Sequence, residues 1–168
     1  MTKTRLSPLL VLLWLLAIDG IILSATQHQF PPTIATHFDL QGNANGWLET
    51  KTHALVFVML SFGLPLLMVG IFSLAQYLPN SLINLPNRDY WLAPERRTET
   101  FAVLRWQSLW LACLALLFVM GLYLLTLEAN FHNPARLFTA ATWVWLVAFL
   151  LAVAKWVTLL YRHFRKTE

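Results

Sequence analysis

Four long apolar runs constrain this chain more than any other feature. They lie at about 6–25, 54–75, 106–127 and 138–161, and each approaches or exceeds the roughly 20 residues a helix needs to cross the hydrocarbon core of a bilayer. Of all residues, 58% are hydrophobic and 12% charged, against about 45–50% and about 25% in a soluble domain. Folded in water, such a chain would expose a large apolar surface, so the lipid bilayer is its expected solvent. The fold class that follows is an all-α integral membrane protein, a single transmembrane domain over 1–168. Its two longer connections are 26–53, between the first two spans, and 76–105, between the second and third.

Lysine and arginine placement predicts the orientation. Lys3 and Arg5 precede the first run, Arg88, Arg96, Arg97 and Arg105 lie in or at the end of 76–105, and Arg162, Arg165 and Lys166 follow the fourth. The alternate connections carry only Lys51 and Arg136. Positive charge stays on the cytoplasmic side, which puts both termini and the 76–105 loop inside and the 26–53 loop outside. Met1–Arg5 resembles the basic start of a signal peptide, but the apolar run behind it is longer than the usual 7–15 residues and contains Asp19. A retained anchor is expected. Aromatic residues suited to the headgroup layer sit near several run ends: Trp47, Tyr77, Trp106, Trp110, Trp143, Trp156 and Tyr161.

The formal charge of +4 does not point to nucleic acid. Most of the basic residues flank apolar runs, and no basic recognition stripe or nucleic-acid motif is present. The single cysteine, Cys113, lies inside an apolar run and reads as a packing residue.

Ionisable residues inside spans demand an account. Lys155 lies toward the inner end of the fourth run, where its long stem can snorkel to the headgroups. Asp19 lies outward of the centre of the first run, about 15 Å from Lys155 in depth at 1.5 Å per residue, too far for an ion pair. A carboxylate has a short stem and snorkels poorly, so Asp19 is either a structural polar contact or a residue that handles a ligand or proton. In the second run Pro65, between Gly63 and Gly70, is expected to kink the helix. Ala148 and Ala152 form a small-residue pair that lets another helix approach.

The outer loop carries most of the polar chemistry. Pro31-Pro32 enforces an extended start, 33–40 alternates as a short strand does, and Gly42-Asn43 and Asn45-Gly46 are turn dipeptides. The segment is expected to form a small ordered cap. His37 and Asp39 are two apart and would share a strand face; Glu49 and His53 are four apart and would share a helix face. With His28, and with His132 from the other outer connection, they are weak metal candidates, because the spacing matches no established zinc pattern. From Asp39 a calcium loop fails at Ala44, where glycine is needed, and at Thr50, where glutamate is needed. No nucleophile elbow is present, so no catalytic residue is assigned. No metal or other cofactor is expected.

In the cytoplasmic loop Pro94 suits the first position of a helix, and Glu95 and Glu99 favour its N-terminal region. That helix is expected to run on into the third span. Tyr90, Trp91 and Leu92 form an apolar knot suited to the headgroup interface, beside Arg96 and Arg97. Asp89, Tyr90, Trp91, Glu95, Arg96 and Arg97 are the candidate docking residues for a cytoplasmic partner; the alternative is an elbow that anchors the bundle.

Two motifs resemble those of a widespread bacterial membrane-domain family of unknown function, distantly related to the sporulation-delay-toxin immunity protein. One is Pro32-Thr33-Ile34-Ala35-Thr36-His37-Phe38-Asp39 followed by Gly42, Gly46-Trp47 and Lys51; the other is Leu85–Arg97. The resemblance covers the first half of the chain and extends into the third span. It implies a multi-pass protein of the bacterial inner membrane with an important outer loop, whose candidate ligand-binding residues are His37, Phe38, Asp39, Gly42, Gly46, Trp47 and Lys51. The expected function is non-enzymatic binding, sensing or immunity, through recognition of a peptide, lipid or envelope component. The alternatives are an accessory subunit of a transporter or other membrane complex and, behind it, a metal-dependent enzyme. A membrane-protein or peptide partner is the expected class, with the oligomeric state left open.

Overall fold

The computed structural model describes residues 7–166. Lys3 and Arg5, two of the orientation signals, lie outside the described residues, as does the start of the first run. Helix α1, Pro8–Thr26, opens with proline at a position where a missing N–H costs nothing. A 3₁₀ turn, Gln27–Gln29, leads to strands β1, Thr33–Phe38, and β2, Ala44–Glu49, which form an antiparallel hairpin. Helix α2, Thr50–Val58, follows at once, then a π-helical turn, Met59–Gly63, and helix α3, Leu64–Leu74. The elbow contains 3₁₀ turns at Ala75–Tyr77 and Asn80–Leu82 and the one-turn helix α4, Arg88–Trp91. Helix α5, Pro94–Asn130, and helix α6, Thr139–Arg165, complete the chain.

Among the described residues four helices are long and apolar enough to cross a membrane: Pro8–Gln29, Thr50–Tyr77, Pro94–Asn130 and Thr139–Arg165. The molecule is therefore a mostly helical, multi-pass membrane protein with one small two-stranded sheet. The second span begins at Thr50, earlier than the apolar run alone indicates, because its first turn grows directly out of β2. The turn just before Pro65 widens into the π-helical turn. Proline offers no N–H to the carbonyl of Ser61 and its ring crowds the preceding turn, and the wider turn at Met59–Gly63 makes room for the ring.

Helix α5 is the central element. Its 37 residues span about 55 Å at 1.5 Å each, more than the roughly 30 Å hydrocarbon core, and the helix that starts at Pro94 runs on without a break into the third span, as expected. Leu12 of α1 packs with Ala112, Cys113 and Leu116 of α5, and the Cys113 thiol donates to the Pro8 carbonyl at 3.7 Å. Helix α6 lies antiparallel to α5. The indole N–H of Trp145 donates to the Phe118 carbonyl and that of Trp156 to the Gln107 carbonyl, both at 3.2 Å. Gly121 makes this approach possible, since a Cβ there would run into the Trp145 indole.

A second small core closes the elbow end: Ile83, Leu92, Phe101, Leu104 and Phe164. Trp91 donates its indole N–H to the Phe164 carbonyl at 2.7 Å, and Asn87 donates to the Arg165 carbonyl at 2.8 Å. Asn87 itself takes a left-handed φ of 51°, which asparagine tolerates better than most residues. The apolar knot therefore turns inward in part rather than lying wholly on a headgroup surface: Leu92 is 2% exposed. Arg97 likewise faces the fold, donating to the Gln76 and Leu78 carbonyls at 2.8 and 3.0 Å and to the Asn80 side chain. Arg96 stands 4.0 Å from the Tyr90 ring, while Asp89 and Glu95 are exposed, Asp89 pairing with Arg88 at 3.3 Å.

Candidate recognition site at the hairpin end

The hairpin is fixed to the bundle by polar contacts that the sequence places far apart. In the β1–β2 register Ile34 faces Leu48, Ala35 faces Trp47 and His37 faces Gly46, with irregularities on both sides of His37. Ile34 and Ala35 are each 1% exposed. The Ala35 N–H and carbonyl point away from β2 and are both taken by Asn130 at the end of α5: Oδ1 accepts at 2.9 Å and Nδ2 donates at 2.9 Å. One amide side chain thus does the work of a third strand. At the tip the Leu137 N–H donates to the Gly42 carbonyl at 2.9 Å, and Asn43 forms a bridge with Arg136.

The turn lies at Asp39–Asn43, not at Asn45-Gly46. The Asp39 carboxylate accepts from the backbone N–H groups of Gln41 and Asn43 at 2.9 and 2.8 Å and from the Asn43 side chain at 3.0 Å. Gly42 takes φ +86°, and a Cβ there would collide with the Leu137 carbonyl. Asn45 and Gly46 lie within β2, because the Asp39 cap and the left-handed glycine complete the reversal before the chain reaches them. Gly46 matters for another reason: a Cβ would stand 3.0 to 3.2 Å from the His37 side chain. Asp39 is accordingly a turn residue beyond the end of β1, and it does not share a strand face with His37. Its bonds to the Asn43 side chain and backbone hold its carboxyl below the ordinary value of 3.8.

The remaining candidate residues of the 26–53 loop divide between two clefts. His37 and Phe38 line one of about 320 Å³, together with His53, Phe57, Thr126 and Thr142. Lys51 and Glu49 line the other, of about 620 Å³, beside His28 and Pro32. Trp47 is 57% exposed on β2. His28, His37, Asp39, Glu49 and His53 are therefore not gathered at one point, and no group of three or more potential ligands forms a metal site among the described residues. His132 pairs instead with Glu128 at 2.7 Å. The expected His53–Glu49 face does not form: Glu49 precedes the first turn of α2 and is exposed, whereas His53 is 3% exposed.

His53 marks the floor of the first cleft. Its ring stacks on Tyr123 at 5.8 Å and touches Phe30 and Phe57 at 5.7 and 4.7 Å, while its Nε2 has no hydrogen-bond partner. Tyr123, 2% exposed, shares a 2.6 Å hydrogen bond with Thr26. Thr26 commits its own hydroxyl hydrogen to the Ile22 carbonyl at 2.6 Å, so Tyr123 is the donor. Asp19 lies deeper, 0% exposed, and Ser61 of the π-turn, also 0% exposed, faces it.

Asn130, Tyr123, Ser61 and Thr26 escape sequence reading. Each is a single polar residue at or inside a span edge, and only the packing brings them to the site. A tyrosine near the end of the third apolar run and a serine four residues before a proline are the only signals the sequence offers. No family model, curated protein or solved structure matches this chain.

Proposed function

We propose that this chain works without catalysis, as a binding or sensing protein of the bacterial inner membrane that recognises a peptide, lipid or envelope component at its hairpin end. The reading takes both termini as cytoplasmic, on the lysine and arginine bias, and the hairpin as outward-facing. The observation that carries it is the cleft of His37, Phe38, His53 and Phe57 beneath a hairpin locked in place by Asn130 and Leu137. A rigid frame, apolar and aromatic walls and a few polar groups are the usual ingredients of a binding site. The motif likeness at Pro32–Lys51, immunity-type function included, agrees with this assignment without carrying it.

Capture from native membranes tests the reading. A partner or lipid retained by the wild-type chain and lost by His37→Ala and Phe38→Ala, at equal membrane yield, supports it. Equal recovery by all three removes the cleft from recognition.

A second reading, an accessory subunit of a membrane complex, is favoured by α6. No residue in the apolar window of that helix is buried, and Ala148 and Ala152 line a groove of about 140 Å³ with Phe118 and Phe149. Instability of the purified chain, cured by one co-purifying membrane protein, would favour this second role.

A further inference from the structure

We propose that Asp19 and Ser61 form a binding site for a single positive charge, a proton or a sodium-sized cation, in the interior of the bundle. Both residues are 0% exposed, and neither Asp19 carboxyl oxygen nor the Ser61 hydroxyl has a hydrogen-bond partner. Ser61 faces the carboxyl but stands outside hydrogen-bonding geometry. Three oxygen atoms thus share an apolar interior with nothing to satisfy them. Native proteins rarely leave buried polar groups in this condition, and a buried carboxylate least of all.

No side chain supplies the missing charge. Among the described residues, no ion pair reaches Asp19. The Trp145–Phe118 and Trp156–Gln107 contacts fix the register of α6 on α5 and place Lys155 near the level of Ser108. Asp19 lies within electrostatic reach of Tyr123, about 22 Å further along α5 at 1.5 Å per residue. On the elements packed around α1, Glu95, Arg96, Arg97, Glu99 and Arg105 lie in the elbow half of α5, His28, Lys51 and Glu128 at the hairpin end, and Tyr123 and Cys113 of α5 and His53 of α2 between them. Tyr123 donates to Thr26 and Cys113 to the Pro8 carbonyl, so neither hydrogen is offered to Asp19. His53 packs on Phe30, Phe57 and Tyr123 with its Nε2 unpartnered, so it makes no hydrogen bond to Asp19.

The local backbone adds oxygen donors. Ser61 sits in the widened π-turn, and Pro65 has no N–H for the Ser61 carbonyl. A carboxylate and a hydroxyl, beside a carbonyl to which Pro65 offers no N–H, are hard oxygen ligands, suited to an alkali cation and equally to a proton shared between oxygens. π-turns inside helices are frequent at functional sites. The aromatic floor of His53, Phe57 and Tyr123 lies between this pair and the hairpin cleft, so the charge site is distinct from the proposed recognition surface and stands or falls separately.

Dicyclohexylcarbodiimide, which modifies protonated carboxyls in apolar surroundings, tests the site on the full-length chain in lipid vesicles. Modification is located by mass spectrometry between pH 5.5 and 9, with and without sodium, and Asp19→Asn is the control. Labelling of Asp19 that falls as pH rises and ignores sodium assigns a proton site. Labelling that sodium suppresses saturably and potassium does not assigns a sodium site. In either case Ser61→Ala should move the pH midpoint or weaken sodium protection by about tenfold, since one of the polar groups that would bond the bound charge or the carboxyl is removed. Labelling at one constant level under every condition, absence of labelling in folded protein, or an unchanged response in Ser61→Ala would overturn the proposal.

Discussion

Asn130 pairs with Ala35 in both directions, accepting the Ala35 N–H and donating to the Ala35 carbonyl, each at 2.9 Å. The contact joins the far end of α5 to the edge of β1 that faces away from β2 and holds the hairpin over the cleft. A third bond, from Asn130 Nδ2 to the Thr126 carbonyl at 2.9 Å, fixes the side chain that makes the other two.

Removing that amide should release the hairpin. In Asn130→Ala both Ala35 backbone groups, buried at 1% exposure, lose their partners, at about 1–3 kcal/mol for each orphaned group. Hydrogen exchange at the Ala35 amide should accelerate at least about tenfold while exchange in the cores of α1 and α5 stays slow. Unchanged protection at Ala35 would mean that β2 alone holds the strand.

The two hairpin glycines should differ in kind. Gly42→Ala meets both a positive φ of 86° and the Leu137 carbonyl, so it should separate the tip from α6 and raise protease sensitivity there. Gly46→Ala meets only the His37 side chain at 3.0 to 3.2 Å, which can rotate. It should leave the hairpin folded and displace His37 within the cleft, whereas Gly46→Val should cost more. Equal protease sensitivity of Gly42→Ala and wild type would contradict the assignment of the turn.

Acid should loosen the same turn. The Asp39 carboxyl is held below its ordinary 3.8 by the Asn43 side chain and backbone. A carboxyl with a lowered folded-state value adds stability above its unfolded value, and that contribution disappears as pH falls through the lowered one. Exchange at the Gln41 and Asn43 amides should therefore be constant above about pH 5 and accelerate below about pH 4 relative to neighbouring strand amides. Asp39→Asn should remove the pH dependence. A wild-type response in that variant would assign the acid effect elsewhere.

Much of this architecture is legible in the sequence, for reasons specific to each element. Four runs of bilayer length need no tertiary information, and Pro94 followed by Glu95 announces the start of α5. The strand at 33–38 is announced by Pro31-Pro32 before it and the turn residues after it. The position of the turn is not, because Gly42-Asn43 and Asn45-Gly46 carry the same signal and only the Asp39 cap and the Leu137 contact decide between them. The site is less legible still. His37 and His53 meet across the cleft only because α2 grows directly out of β2, and Asn130, which clamps the hairpin, lies ninety-five residues beyond its partner Ala35.

Orientation can be settled with single cysteines. The native Cys113 is buried, its thiol directed at the Pro8 carbonyl, so background labelling should be small. Cysteines at the exposed positions Asn45 and Asn133 should react with an impermeant maleimide in intact cells, and one at Asn87 only after permeabilisation. The reverse pattern would invert the molecule and put the hairpin in the cytoplasm.

Site-specific photo-crosslinking in native membranes tests the central claim most directly. A photoreactive residue at Phe38, in the cleft, is compared with one at Leu150, which is 55% exposed on the apolar surface of α6. The account predicts a discrete adduct from Phe38 that Leu150 does not give and that His37→Ala abolishes at equal membrane yield. Adducts identical from the two positions, or an adduct from Phe38 that persists in His37→Ala, would contradict recognition at the hairpin cleft.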